Sequence, residues 1–231
     1  MIQLINVCKD YPTKAGPRRV LDSINLMIHP GQHVGILGRN GAGKSTLVRL
    51  ISGAEPPTLG TIERSMSVSW PLAFSGGMHT GLTGTDNVRF ICRIYGVDFH
   101  PRLEFVKDFS ELGIYMDEPV STYSSGMRAR LAFAISMTID FDCYLIDEVL
   151  AVGDARFRDR CRVELFEKRK DKAMLIVSHS HRYLKGTCDR FLLFRDGTIE
   201  EYDDFEEVYF QYKALLGEAF ESKEQMVAAM Q

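Results

Sequence analysis

An α/β fold built around a mostly parallel sheet is predicted by three features of this 231-residue chain. A glycine-rich run, Gly38-Arg39-Asn40-Gly41-Ala42-Gly43-Lys44-Ser45-Thr46, stands between an apolar stretch at 33–37 and a helical pattern at 44–51. Two further apolar runs, 142–147 and 172–178, have the length and composition of buried strands. Helical segments separate these strands, and strands alternating with helices assemble into a parallel sheet covered by helices.

Taken in order, residues 2–8 and 20–28 are predicted strands, parted by a Pro/Gly/basic loop from Pro12 to Arg19. They precede the 33–37 strand and imply an antiparallel β subdomain. After the 44–51 helix, Gly53 to Gly60 forms a turn and a strand follows at about 61–69. Residues 71–85 are rich in Gly, Ser and Thr and are expected to form a surface loop. Helical patterns then fill about 86–138, which predicts a small helical subdomain. Between the 142–147 and 172–178 strands, Phe157, Cys161 and Leu165 recur at four-residue spacing, as on a helix crossing back over the sheet. Strands at 190–195 and 198–202 meet at Asp196-Gly197, a hairpin signal. The tail at about 203–231 is helical in composition, with apolar residues from Phe205 to Leu216 that suit a helix packed on its own domain or, less simply, a partner surface. The whole chain is expected to be a single domain carrying these subdomains.

Composition narrows the classes. With a net charge of −3, bulk electrostatics gives no sign of a nucleic-acid partner. The five cysteines are scattered and form no C-x-x-C pair, which argues against a disulfide framework or a zinc site and for a reducing compartment. Residues 1–6 do not read as the start of a signal peptide. No window approaches the roughly 20 apolar residues of a membrane span.

The chemistry begins at the glycine run, which fits G-x-x-x-x-G-K-[ST] in the strand–loop–helix setting where that pattern cradles phosphate. Glycines let successive N–H groups turn toward an oxyanion, and the helix N-terminus adds partial positive charge. Lys44 would reach the β- and γ-phosphates of a nucleoside triphosphate, and the Ser45 hydroxyl would serve Mg²⁺. The plain alternative, a glycine turn opening a helix, leaves Lys44-Ser45 unexplained. The strand at 142–147 runs into Asp147-Glu148 at the sheet end where ligands sit. Asp147 is placed to hold Mg²⁺, and Glu148 to polarise the attacking water. Without Lys44, the pair would read as a solvated acidic turn. His179, at the tip of the 172–178 strand, lies on the same rim and can hydrogen-bond a γ-phosphate oxygen or the water; His181 reads as a bystander. A lone histidine is more often a filler, and only position singles out His179. Residues 123–131 form a capped helix start, in which Ser124 or Ser125 can cap and the exposed N–H groups offer a second anion site.

In order and spacing, these motifs resemble the nucleotide-binding subunit of ATP-binding cassette transporters over essentially the whole chain. The resemblance implies an α/β P-loop NTPase core with an antiparallel β subdomain and a small helical subdomain. It implies ATP and Mg²⁺ as cofactors, bound by Gly38 to Thr46, with Ser45 and Asp147 on the metal and Glu148 and His179 catalytic. Tyr11 matches the aromatic that stacks on adenine. Tyr123-Ser124-Ser125-Gly126-Met127 stands where the family has Leu-Ser-Gly-Gly-Gln, so Ser124, Ser125 and Gly126 would meet the γ-phosphate held by a second copy packed head to tail. Gly153-Asp154 falls in the family's D-loop. Ser125 and Met127 depart from the family pattern, and the glutamine usual after the strand near 68 is missing from 68–74. Together with the run from Asp147 to Asp154, these departures resemble the polysaccharide-exporting branch, particularly capsular polysaccharide exporters.

The partners so implied are a homodimer and a separate integral membrane permease at the cytoplasmic face of the inner membrane, seated on the helical subdomain and the loop at 70–84. No direct glycan binding is expected, because 203–231 is too short for a carbohydrate-binding module. The other readings are an O-antigen, teichoic acid, drug or lipid exporter, a soluble cassette ATPase, and, more distantly, a small-molecule P-loop kinase. Tandem cassettes or a long coiled-coil insertion would mark the soluble class, and neither is present. A kinase would leave Ser124–Gly126 and His179 unaccounted for.

Overall fold

In chain order, the computed structural model holds β1 (Ile2–Thr13), β2 (Gly16–Ile28), β3 (His33–Gly38), α1 (Lys44–Ser52), β4 (Leu59–Arg64) and β5 (Val68–Pro71). Next come α2 (Gly84–Tyr95), α3 (Phe99–Ser110), α4 (Ser125–Ser136), β6 (Cys143–Asp147) and α5 (Ala155–Arg162). The chain continues through β7 (Ala173–Val177), α6 (His181–Thr187), β8 (Arg190–Arg195), β9 (Thr198–Tyr202) and α7 (Phe205–Leu215). The structure describes residues 1–72, 78–147, 154–178, 181–218, 223 and 225, without the side chains of 181 and 182. Two units are present: Met1–Val68, Asp142–Glu148 and Asp171–Gln231 form the first, and Ser69–Phe141 and Val149–Lys170 the second.

The first unit contains two sheets. The smaller is antiparallel, in the order β2-β1-β4. The larger runs β6-β7-β3-β8-β9, parallel except for β9, which returns antiparallel to β8. The β8–β9 turn is the Asp196-Gly197 pair, both residues at positive φ (48° and 83°), as a two-residue hairpin demands. Ile2, Leu4, Ile24 and Ile28 from the small sheet pack with Leu47, Leu50 and Ile51 of α1 and with Ile36, Leu145, Leu175 and Leu192 of the large one. This is one continuous apolar core. Phe205, Val208 and Tyr209 of α7 are buried as well, the Phe205 ring lying 5.4 Å from that of Phe191 on β8.

Two sequence expectations are corrected here. The loop predicted at 12–19 is mostly strand: Thr13 faces Gly16 and Pro12 faces Pro17, so only residues 14 and 15 turn. Pairing with β4 ends at Cys8, so beyond it β1 and β2 form a two-stranded ribbon that tolerates prolines lacking an N–H. The single strand predicted at 61–69 is two strands. β4 pairs with β1 up to Ile2 opposite Arg64, and Ser65 N–H closes on the Met1 carbonyl at 2.9 Å. Ser67 then donates from its N–H and its hydroxyl to Asp142 Oδ2, at 2.9 and 2.8 Å. These bonds end the small-sheet pairing and carry the chain to β5.

The second unit is helical. Thr83, Asp98, Ser124 and Asp154 each cap a helix N-terminus with a side-chain oxygen, satisfying N–H groups that have no partner within the helix. The rings of Phe109, Phe133 and Phe157 join α3, α4 and α5 at centroid distances of 5.5–6.3 Å. A π-turn at Val163–Glu167 follows α5, and Phe157, Cys161 and Leu165 are all buried. The even four-residue spacing of those three suits the wider turn.

Candidate functional site

The glycine run folds as a loop between β3 and α1, and its geometry requires glycine at specific points. Gly43 has φ 112°, and a Cβ there would meet Leu21 Cδ2 at 2.9 Å and the Val20 carbonyl oxygen at 3.1 Å. At Gly38, φ is 153° and a Cβ would lie 2.7 Å from that of Phe194. Side chains at either place would force the loop away from β2 or β8. Lys44 opens α1 and is 8% exposed, its ammonium donating to the Gly38 and Arg39 carbonyls at 2.7 and 2.9 Å. The Ser45 side belongs to the exposed face of the first turn, whereas Thr46 is buried.

Register brings an acid to this loop. Val177 of β7 pairs with Ile36 of β3 on one side and with Asp147 of β6 on the other, so these parallel strands end level with one another. Asn40, Gly41, Gly43, Lys44, Ser45, Thr46, Asp147 and Val177 line a single cleft of about 670 Å³, completed by Arg18 and Val20 of β2. Arg39 and Ala42, with Asn40 and Gly41, line an adjoining pocket of about 410 Å³. A hydroxyl and a carboxylate converging beside backbone N–H groups form the hard-oxygen donor set that suits Mg²⁺, a cation that takes few protein ligands and relies on phosphate oxygens and water for the rest. The positive-φ glycines hold the loop in the curved path that turns its N–H groups toward an anion.

Tyr11 lies on β1, outside the lining of both pockets. Its hydroxyl donates to Glu55 Oε2 at 2.7 Å and accepts from Arg49 Nη2 at 3.1 Å, and the Lys9 ammonium stands 5.2 Å from its ring centre. Arg49 also reaches the Thr46 hydroxyl at 3.3 Å, which ties Tyr11 to the first turns of α1. In the second unit, Ser124 Oγ caps α4 by accepting from Met127 N–H at 3.2 Å. Ser124, Ser125 and Gly126 are exposed, and among the described residues the nearest atom to a Cβ at Gly126 would be Ser124 Oγ at 3.9 Å. Tyr123 is buried, its hydroxyl bonded to the Tyr115 carbonyl. Glu148, Gly153, His179 and the segment 73–77 lie outside the described residues.

Sequence reasoning did not single out Arg18 or Val20 as cleft residues: Arg18 falls in the stretch read as a loop, and Val20 opens the predicted 20–28 strand with nothing local to aim it at the glycine run.

A strand, a glycine loop with its lysine, a helix and an acid at the tip of β6, one strand removed from β3, define a P-loop nucleoside-triphosphate fold. The chain belongs to the ABC transporter family, whose model matches residues 21–151. It is 58% identical to the ATP-binding protein BexA of Haemophilus influenzae, over 92% of this chain and 98% of that protein. It is 56% identical to the capsule polysaccharide export ATP-binding protein CtrD of Neisseria meningitidis serogroup B, over 93% and 100% of the two chains. Among solved structures, it resembles a dimeric ATP-binding cassette in a post-hydrolysis state bound to ADP and Pi. The TM-score is 0.76 at 20% identity, with 88% of this chain and 98% of that one covered. No helix among the described residues is long and apolar enough to cross a membrane.

Proposed function

We propose that this chain is the ATP-hydrolysing subunit of a transporter that exports a capsular polysaccharide through a separate membrane permease. The observation that carries the nucleotide chemistry is the convergence of Lys44, Ser45 and Asp147 on one cleft. The substrate class is supported by the extent of similarity to CtrD, which runs the full length of that protein.

In this reading, the loop N–H groups and Lys44 hold the β- and γ-phosphates, and Tyr11 supports the adenine. Ser45 and Asp147 hold Mg²⁺, which supplies charge neutralisation on the phosphate oxygens. Glu148 takes the proton of the attacking water, and His179 hydrogen-bonds the γ-phosphate. Ser124, Ser125 and Gly126 of a second copy present the start of α4 to the same phosphate. An anion held between two cationic helix ends favours the closed homodimer, and hydrolysis removes that bridge. The free-energy difference between the two states is what a permease can use. The subunit acts at the cytoplasmic face of the inner membrane as a peripheral protein. It touches nucleotide and permease and binds neither nucleic acid nor the glycan directly.

The test replaces the chromosomal copy by Glu148→Gln. Capsular polysaccharide is then expected to accumulate inside the cell while the protein remains folded. Surface polysaccharide at the wild-type level would overturn the assignment.

A further inference from the structure

The geometry points to Arg18 as a nucleotide-contacting residue that grips the two phosphates which are not transferred, a role that rests on the nucleotide reading of the cleft. β2 carries one more residue than β1 where they pass the glycine loop: Lys9 pairs with Leu21 but Asp10 with Arg19, leaving Val20 unpaired. Such a bulge re-aims the side chains around it. The result is that both Val20 and Arg18 line the cleft shared by Lys44, Ser45 and Asp147. Val20 touches the loop itself, its Cγ1 lying 3.4 Å from where a Cβ on Gly43 would be.

Arg18 and its neighbour Arg19 have opposite circumstances. Arg19 is bound to Asp10 at 2.9 Å and to Asp22 at 3.1 Å, and is thereby neutralised in place. The Arg18 side chain is exposed and makes no hydrogen bond or ion pair among the described residues. Its other side faces the adjoining pocket, where Arg39 adds a second guanidinium that makes no ion pair among the described residues, Arg195 is paired with Glu200 at 3.4 Å, and Asp196 supplies the one further carboxylate. A cation in that company is short of negative charge, and the field there attracts an anion.

Position selects which part of the nucleotide meets it. Arg18 is the direct cross-strand partner of Tyr11, so the two side chains leave the same face of the ribbon. The residue assigned to the adenine and the loop assigned to the terminal phosphates therefore flank Arg18, which corresponds to the α- and β-phosphates. A guanidinium there strengthens ATP and ADP alike, which is uniform binding and leaves the chemical step untouched.

The experiment titrates ATP and ADP, each with Mg²⁺, into the wild type, Arg18→Ala, Arg18→Lys and Lys44→Ala by calorimetry, with steady-state ATPase kinetics alongside. Arg18→Ala is expected to weaken both nucleotides by about tenfold, the size of a charge-assisted contact at a partly exposed site. Arg18→Lys should recover part of that loss. In turnover, the change should enter KM and not kcat, and the salt dependence of binding should flatten. Equal affinities in the wild type and Arg18→Ala would overturn the role of Arg18 while leaving the phosphate loop intact. Weakening confined to ATP would also overturn it, because the contact would then be with the γ-phosphate. If the wild type itself binds neither nucleotide, the reading of the cleft fails first.

Discussion

Tyr11 and Glu55 are held together across the surface of α1, the phenol donating to Glu55 Oε2 at 2.7 Å while Arg49 Nε holds Oε1 at the same distance. The hydrogen bond from Tyr11, aided by Lys9 and Arg49, outweighs burial and keeps the Glu55 carboxyl below its ordinary range. The ring is thus fixed by its hydroxyl and remains an aromatic surface.

Tyr11→Phe and Tyr11→Ala should therefore separate two roles. The phenylalanine variant loses one hydrogen bond and about 1 kcal/mol of stability, with nucleotide affinity close to the wild type. The alanine variant additionally loses the ring, and its ATP affinity should fall by roughly three- to tenfold. Thermal melts and ATP titrations on the two variants check this; equal nucleotide affinities would remove Tyr11 from the site.

Lys44→Ala should abolish the thermal stabilisation that ATP confers. Ligand at 100 times its Kd stabilises a folded protein by about 2.7 kcal/mol, a shift readable in a melting curve. A variant that still melts higher with Mg²⁺ and ATP would show that the ammonium is not part of the phosphate site.

Gly126→Ala reads the second copy without disturbing the first. Among the described residues, a methyl at 126 meets nothing closer than 3.9 Å, so the variant should fold and melt like the wild type. Placed on Glu148→Gln, which is expected to accumulate an ATP-bound dimer, it should return the protein to monomer in size-exclusion chromatography with saturating ATP. Ser124→Ala would be less clean, since it also removes the α4 cap at a cost of about 1 kcal/mol. Persistence of the dimer in the Gly126→Ala background would locate the contact elsewhere.

Acid should weaken the second unit through Glu164. Its side chain is 8% exposed and bound by Lys168 and Arg169, both at 2.7 Å. Burial alone would raise its pKa, but the hydrogen bonds and charges of Arg169 and Lys168 outweigh it and hold the group below the ordinary glutamate value. A depressed folded-state pKa contributes stability above the unfolded value, about 4.3, and that contribution is lost as pH falls through the folded value. Glu164→Gln should cost about 2 kcal/mol at neutral pH, because Arg169 and Lys168 lose their counter-charge while Arg169 keeps the Glu164 and Met137 carbonyls, and the difference from the wild type should shrink below pH 4. A pH-independent difference in denaturation midpoint would contradict this.

The phosphate loop was legible because its chemistry is local: Gly38 to Ser45 need only a strand before and a helix after, and both leave short-range patterns. The Asp196-Gly197 hairpin was legible for the same reason. The ribbon at 12–19 was not, because Pro12, Gly16 and Pro17 carry turn propensity that only the absence of a third strand beyond Cys8 makes harmless. Nor could residues 61–69 reveal their break, which depends on Asp142, 75 residues away from Ser67. Arg18 escaped notice for a related reason: its place at the cleft comes from a register slip between two strands, which leaves no trace in composition.

The grip of Lys44 on the Gly38 and Arg39 carbonyls has a consequence for how ligand is taken up. The ammonium already fastens the loop into its curved form, standing in for the counter-charge that will later share it. An arriving phosphate meets a preorganised cradle and trades one set of contacts for another, so little of its affinity is spent on freezing mobile backbone.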